Sequence, residues 1–329
     1  MDKPNIFRYA TKELSQDAFI CWLLSHADPK YINVDEELKK CALSLIEAFF
    51  ELEDKEMPEK FENFSLSKQY KNIDILLKIN EFSIIIEDKT RTKAHGDQLI
   101  RYKNIIASEV GEENILAIFF KTHDQSNYKK EINDGFKIFS RDKLIAVLDK
   151  FEDVSSEIFN DFKDYIKSIE KEVNAFVVKE NWNHKNWIGF FKYLQKELKR
   201  GDWDYVSNPN KGFMGYWWAF QKNESCWQYL QIQENELVLK INALGNSKYR
   251  KYRDHCYKHF LEYSKIENLA FSKPQKFGSG NTITILTTQY MVKDPETSLI
   301  DLNATVENLK LYTRFIEKYA LKDIDFSSL

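Results

Sequence analysis

The segment 72–90, NIDILLKINEFSIIIEDKT, constrains the fold more than any other stretch of the chain. Two runs rich in isoleucine and leucine flank Asn80-Glu81, a turn-forming pair, so the segment is predicted to be a β-hairpin with a two-residue loop. Counting back from Ile79 opposite Phe82, Asp74 falls directly opposite Glu87. Directly opposed side chains share one face of the sheet, with Cβ atoms about 4.5–5.5 Å apart. Lys89, two residues beyond Glu87, projects from that same face. Ile73, Ile75, Leu77, Ile84 and Ile86 are expected on the other face, buried against helices.

Two adjacent carboxylates repel each other unless a cation lies between them. A divalent ion reverses the sign of that interaction, and Mg²⁺ favours one or two carboxylates together with water and phosphate oxygens. Lys89 then polarises a water or neutralises charge developing on a phosphate. These are the parts needed for metal-assisted hydrolysis of a phosphodiester. The bland alternative is a solvated strand end with a surface salt bridge. The letters alone do not decide, because Glu53-Asp54-Lys55 repeats them in a charged loop. What distinguishes 87–89 is its place at the end of an isoleucine-rich strand, with an aspartate in register across the turn.

The surrounding pattern predicts helices over 12–27 and 36–52, a charged loop over 51–62, and strands over 63–70, 72–79 and 82–89. In the first helix Leu14, Ala18, Trp22 and Leu24 are expected near one face, with Thr11 or Ser15 as cap. A helix over 94–110, strands over 115–120 and 136–139, and helices over 142–149 and 154–172 follow. One sheet receiving both hairpin and helix-crossover connections is a mixed α/β core.

These residues resemble the PD-(D/E)xK nuclease superfamily, most strongly over 7–104, with 11–24 similar to the opening helix of an uncharacterised bacterial branch. The resemblance implies a restriction-endonuclease-like αβββαβ core and an Mg²⁺- or Mn²⁺-dependent nuclease. Carried over by position, it makes Glu13 the acidic residue of the first helix, Asp74 the motif aspartate, and Glu87 and Lys89 the Glu-x-Lys pair. Metal ligands are thus expected at Asp74, Glu87 and Glu13. Ile73 stands where the motif has proline. Asp17, one turn after Glu13, is an alternative to it, and Gln16 a further contact. Gln98-Leu-Ile-Arg-Tyr102 matches the Gln-x-x-x-Tyr pattern of the RecB-like subgroup. Gln98 and Tyr102 are four apart and share a helix face. They are read as orienting a phosphate or base, with covering the helix–sheet seam as the alternative. Arg91, Lys93 and Arg101 supply positive charge nearby for nucleic acid.

Length and charge divide the chain. At 329 residues it exceeds one average domain. Residues 1–172 hold 26 Lys and Arg against 34 Asp and Glu, a net −8, whereas 173–329 carry +5. A catalytic domain over 1–172 and a basic, tryptophan-rich α+β domain for recognition or sensing over 173–329 are therefore expected, with ordinary scatter as the alternative for the charge. The second half holds six of the seven tryptophans. Strands over 212–220, 226–233 and 236–241 and helices over 184–199, 247–265 and 303–320 are predicted there. The stretch 213–227 reads as core, or as a stacking pocket for a base. Lys248, Arg250, Lys251 and Arg253, interleaved with tyrosines, suit nucleic acid or simply a solvated helix face. His255 and His259 lack a third metal ligand.

No apolar run reaches the roughly 20 residues of a membrane span, and the start lacks the apolar core of a signal peptide. The four cysteines have no CxxC spacing and fit reduced thiols, so a cytoplasmic location is expected. The reading is a nuclease acting on DNA ahead of RNA, associated with defence against foreign DNA or with repair. A catalytically inactive nucleic-acid binder is the alternative, and homo-oligomerisation stays open.

Overall fold

The hairpin register is fixed at its turn. Asn80 takes the left-handed conformation (φ 50°) that a two-residue reversal needs, and its side chain ties the turn to the preceding loop. The Asn80 amide group donates to Lys60 O at 2.8 Å, and its Oδ1 accepts from the backbone amides of Glu62 and Asn63. Held this way, β2 (Ile73–Ile79) and β3 (Phe82–Lys89) pair from Ile79–Phe82 to Ile75–Ile86. Asp74 and Glu87 are the next residues of the two strands beyond that last rung.

A computed structural model describes residues 3–31, 33–208, 212–222, 226–242, 249–278, 280 and 282–321. It forms two compact units, residues 1–171 and 172–329. The first contains α1 (Glu13–Ser25), α2 (Glu36–Leu52), β1 (Phe64–Tyr70), β2, β3, α3 (Gln98–Val110), β4 (Ile115–Lys121), α4 (Lys129–Asn133), β5 (Lys137–Ser140), α5 (Arg141–Leu148) and all but the last turn of α6 (Glu157–Asn174). The strands form one sheet in the order β1-β2-β3-β4-β5, with β1–β3 antiparallel and β3–β5 parallel. This is the expected mixed αβββαβ core. Every residue of β4 is buried, as its apolar run requires of a central strand. Helix α1 packs on β1–β3, while α3 packs on β3 and β4.

Two local expectations fail. Leu14 and Ala18 are exposed; α1 instead buries Gln16, Asp17, Phe19, Ile20, Leu23 and Leu24. Two polar residues turn inward because they have polar partners on β3, described below. Neither Thr11 nor Ser15 caps α1. The chain enters the helix at Lys12, whose carbonyl accepts from the amides of Ser15 and Gln16, so Thr11 lies one residue too early and Ser15 already within the first turn. Ile73 also departs from expectation and packs with Leu76, Ile85 and Tyr102 beneath α3. The left-handed residues Gln69, Lys71 and Asn72 re-aim the chain at that corner.

The second unit contains α7 (His184–Leu198), β6 (Asp202–Val206), β7 (Phe213–Lys222), β8 (Trp227–Gln233), β9 (Glu236–Asn242), α8 (Tyr249–Ile266), β10 (Thr282–Thr288) and α9 (Leu302–Tyr319). The expected three strands are the centre of a five-stranded antiparallel sheet ordered β10-β9-β8-β7-β6. Tyr216, Trp218, Leu230, Leu239 and Ile283 meet Phe190 of α7, Phe260 of α8 and Phe315 of α9 in one core. Three of the six tryptophans of this half, Trp187, Trp203 and Trp218, are buried in it, and Trp182 packs against it. Among the described residues, no helix is long and apolar enough to cross a membrane.

Candidate active site

At the ends of β2 and β3, three carboxylates gather around one ammonium. Lys89 Nζ lies 2.6 Å from Glu87 Oε1, 3.2 Å from Asp74 Oδ2 and 3.9 Å from Glu13 Oε2. Asp74 is held by two further donors: the Asp88 amide reaches its Oδ2 at 3.1 Å, and Gln69 Nε2 its Oδ1 at 3.1 Å. Glu13 sits at the first turn of α1. Its Oε1 accepts from the Thr90 amide at 3.3 Å and from Thr92 Oγ1 at 2.5 Å. A helix N-terminus favours a carboxylate there, but these bonds tie it to the loop after β3 as well.

Helix α3 completes the arrangement. Gln98 Nε2 donates to Glu87 Oε1 at 2.8 Å and to Tyr102 Oη at 3.0 Å. The four-residue spacing places both on one helix face, and Tyr102 is also buried in the seam beneath α3. The pair therefore covers the helix–sheet seam while Gln98 also contacts Glu87. Asp74, Glu87, Lys89, Glu13, Gln98 and Tyr102 form one connected group.

Burial sets the electrostatics. Glu87 is wholly buried, and desolvation, then the neighbouring Asp74 charge, pushes its carboxyl up to about 8 against the opposing pull of Lys89. Burial by itself would lower the Lys89 ammonium. Glu87, then Asp74 and Glu13, outweigh it and raise its pKa. Glu87 Oε2 is buried without a hydrogen-bond partner. An orphaned carboxylate oxygen beside two more carboxylates is a donor set of the hard, anionic kind that suits a divalent ion. The residues therefore fit such an ion. Among the described residues, no three His, Cys, Asp or Glu side chains stand together as a ready cage; Lys89 is the cation that Asp74 and Glu87 share.

A second, deeper layer was not recognised as such in the sequence. Asp88, wholly buried, points away from Glu87 toward α1, where Gln16 Nε2 donates to its Oδ1 and Thr122 Oγ1 donates to Gln16 Oε1 at 2.7 Å. Burial first, then Asp17, raises the Asp88 carboxyl well above the usual range. Burial also pushes the neighbouring Asp17 carboxyl up to about 6, and Asp17 Oδ1 and Asp88 Oδ2 are both buried without a hydrogen-bond partner. Gln16 and Asp17 thus support β3 from beneath. Lys121, nearly inaccessible, donates to Thr92 O and so braces the loop that holds Glu13. Its only sequence signal is a lysine ending an otherwise apolar strand in register with Lys89.

The expected nucleic-acid contacts are dispersed. Arg91, Lys93 and Arg101 are exposed around α3, and Arg101 lies over the Tyr102 ring at 5.5 Å. In the second unit Arg250 and Lys251 are exposed on α8. Arg253 is half-buried, bonded to Asp254 and placed 4.5 Å over Phe277. Lys248 lies outside the described residues. Tyr252 belongs to the core, and His259 Nε2 is 2.8 Å from Tyr319 O.

The family model for the PD-(D/E)XK nuclease superfamily matches residues 4–195. No curated protein and no solved structure matches the chain.

Proposed function

Because the chain belongs to the PD-(D/E)XK nuclease superfamily, we propose that its first unit is a divalent-metal-dependent nuclease that hydrolyses phosphodiester bonds of DNA. The observation that carries this reading is the convergence of Asp74, Glu87 and Glu13 on Lys89, with Glu87 Oε2 left unpartnered. Asp74 and Glu87 would hold Mg²⁺ or Mn²⁺, with Glu13 alongside. The ion, when bound, supplies positive charge to the phosphate oxygens.

The protein's own groups do the rest. Asp74 and Glu87 are fixed by backbone and side-chain donors, so they need not reorganise to meet a cation. Freed from Glu87, the Lys89 ammonium orients an attacking water and neutralises charge growing on the phosphate. Gln98 and Tyr102 orient the scissile group without adding charge. Arg91, Lys93 and Arg101 bring positive charge to the backbone on either side. Defence against foreign DNA or DNA repair is the setting this chemistry fits.

The test is cleavage of plasmid, linear and single-stranded DNA, with matched RNA, in Mg²⁺, Mn²⁺ or EDTA. Cleavage that needs the metal and favours DNA is expected. A second reading is motivated by Lys89 already neutralising the carboxylates: a nucleic-acid binder that does not cut. It requires binding indifferent to chelator and no cleavage with any metal.

A further inference from the structure

In the second unit, a bulge decides which residues face outward. β7 shifts register between Trp218 and Gln221, where Ala219 is left-handed (φ 54°). Strict alternation from Trp218 would send Phe220 into the core; the inserted residue reverses the parity. Phe220 instead stacks on Tyr229, with centroids 4.7 Å apart and planes at 20°, and meets Trp227 edge-on at 5.8 Å. A left-handed alanine costs on the order of 1 kcal/mol.

The outward rows are set by pairing. Tyr229 lies opposite Lys240, and Trp227 lies between Lys222 and Asn242. Phe220 and Trp227 remain 44% and 38% exposed. Lys222 Nζ stands 5.7 Å over the Trp227 ring. Lys240 is half-buried, and burial alone holds its ammonium down to about 8, with no carboxylate contributing. Among the described residues it makes no ion pair with an acid. A desolvated cation without a counter-charge is destabilising unless an anion joins it. Trp217 and Phe220 also line a shallow cleft of about 350 Å³ together with Arg200 and Gln221.

We propose that the β7–β9 face around Phe220, Trp227 and Tyr229 binds single-stranded nucleic acid, stacking unpaired bases while Lys240 and Lys222 meet its phosphates. Flat rings flanked by cations match the alternation of base and phosphate along a strand. In a duplex the base faces are already covered by their neighbours, so only an unpaired strand can use such a platform. The proposal rests on the nuclease reading for its class of ligand, but binding here is separate from cleavage.

The test is fluorescence anisotropy of the full chain, in EDTA, with a labelled oligothymidylate of about 20 nucleotides and a duplex of equal length, over a salt series. The single strand is expected to bind at least about tenfold more tightly. Phe220→Ala and Tyr229→Ala are each expected to weaken it by about 5- to 100-fold, the worth of one base stack. Lys240→Met should reduce the salt slope by about 0.7, one phosphate contact. Tyr229→Phe, which keeps the ring, should bind like the parent. Phe220→Leu, which keeps apolar bulk without a flat ring, gives the same readout as alanine if Phe220→Ala fails to fold. Affinity indifferent to Phe220 and Tyr229, or lost only on changing Arg250 and Lys251 of α8, overturns the proposal. So does a parent dimer that Phe220→Leu disrupts without altering binding. Stacking-dependent binding by a chain that never cleaves removes only the nuclease reading; cleavage with binding indifferent to these rings removes only this one.

Discussion

Each unit of this protein is built on a five-stranded sheet, but the two sheets treat charge in opposite ways. At the ends of β2 and β3 every charged group has a partner: Lys89 joins three carboxylates, and Gln98 joins Glu87 to Tyr102. On the outward side of β8 and β9, Lys240 lies opposite Tyr229 with no carboxylate acting on it. A dense cluster of ion pairs and hydrogen bonds holds groups in fixed positions, which chemistry at one atom requires. An isolated cation beside stacked rings is arranged to receive a partner, which binding requires. The contrast underlies the proposal of chemistry at the first sheet and recognition at the second.

Breaking the first cluster should have the largest effect. Asp74→Ala and Glu87→Ala are each expected to lower metal-dependent cleavage by on the order of 10³-fold or more, and Lys89→Met by about 10²–10³-fold, as kcat rather than KM. Circular dichroism should show the fold intact. Equal cleavage by parent and Asp74→Ala would dissolve the distinction between the two sheets.

Gln98→Ala comes next. It removes a positioning contact without removing charge, so a loss of about 10-fold to 100-fold in kcat is expected. Gln98→Ala should leave single-strand affinity in EDTA unchanged if recognition lies in the second unit. A matching loss of affinity would show that binding and chemistry share α3.

The smallest effect is on stability, and it has a definite sign. Lys240 has its pKa depressed to about 8 in the fold against 10.5 ordinarily. Between those values the unfolded chain binds more protons than the native state, so this group's contribution rises with pH across that window. Lys240→Met should therefore be more stable than the parent below pH 8, with the advantage shrinking as pH climbs toward 10.5. Chemical denaturation at several pH values measures it. A constant gap would mean that Lys240 has a counter-ion after all.

How much of this was legible in the sequence depends on how local the determining interaction is. The pairing of Asp74 with Glu87 follows from a two-residue turn and a period of two, both contained within nineteen residues. Gln98 and Tyr102 follow from helical spacing. The buried face of α1 did not follow, because Gln16 and Asp17 turn inward to meet Asp88, more than seventy residues away. Hydrophobic periodicity has no means of registering a polar contact of that kind. The outward turn of Phe220 was hidden for a different reason: a single left-handed alanine inverts the alternation, and nothing in Trp217-Trp218-Ala219-Phe220 marks the bulge. β6 is short, with aspartates at alternate positions, and β10 is rich in threonine; their place in the sheet comes from pairing with β7 and β9.

The claim beneath all of this is that Asp74 and Glu87 constitute a divalent-cation site. Calorimetric titration of Mn²⁺ into the parent and into the Asp74→Asn, Glu87→Gln double variant tests it without any assumption about substrate. One or two ions bound by the parent, with binding lost in a variant of unchanged fold, is the expected result; equal Mn²⁺ binding by both proteins would contradict it.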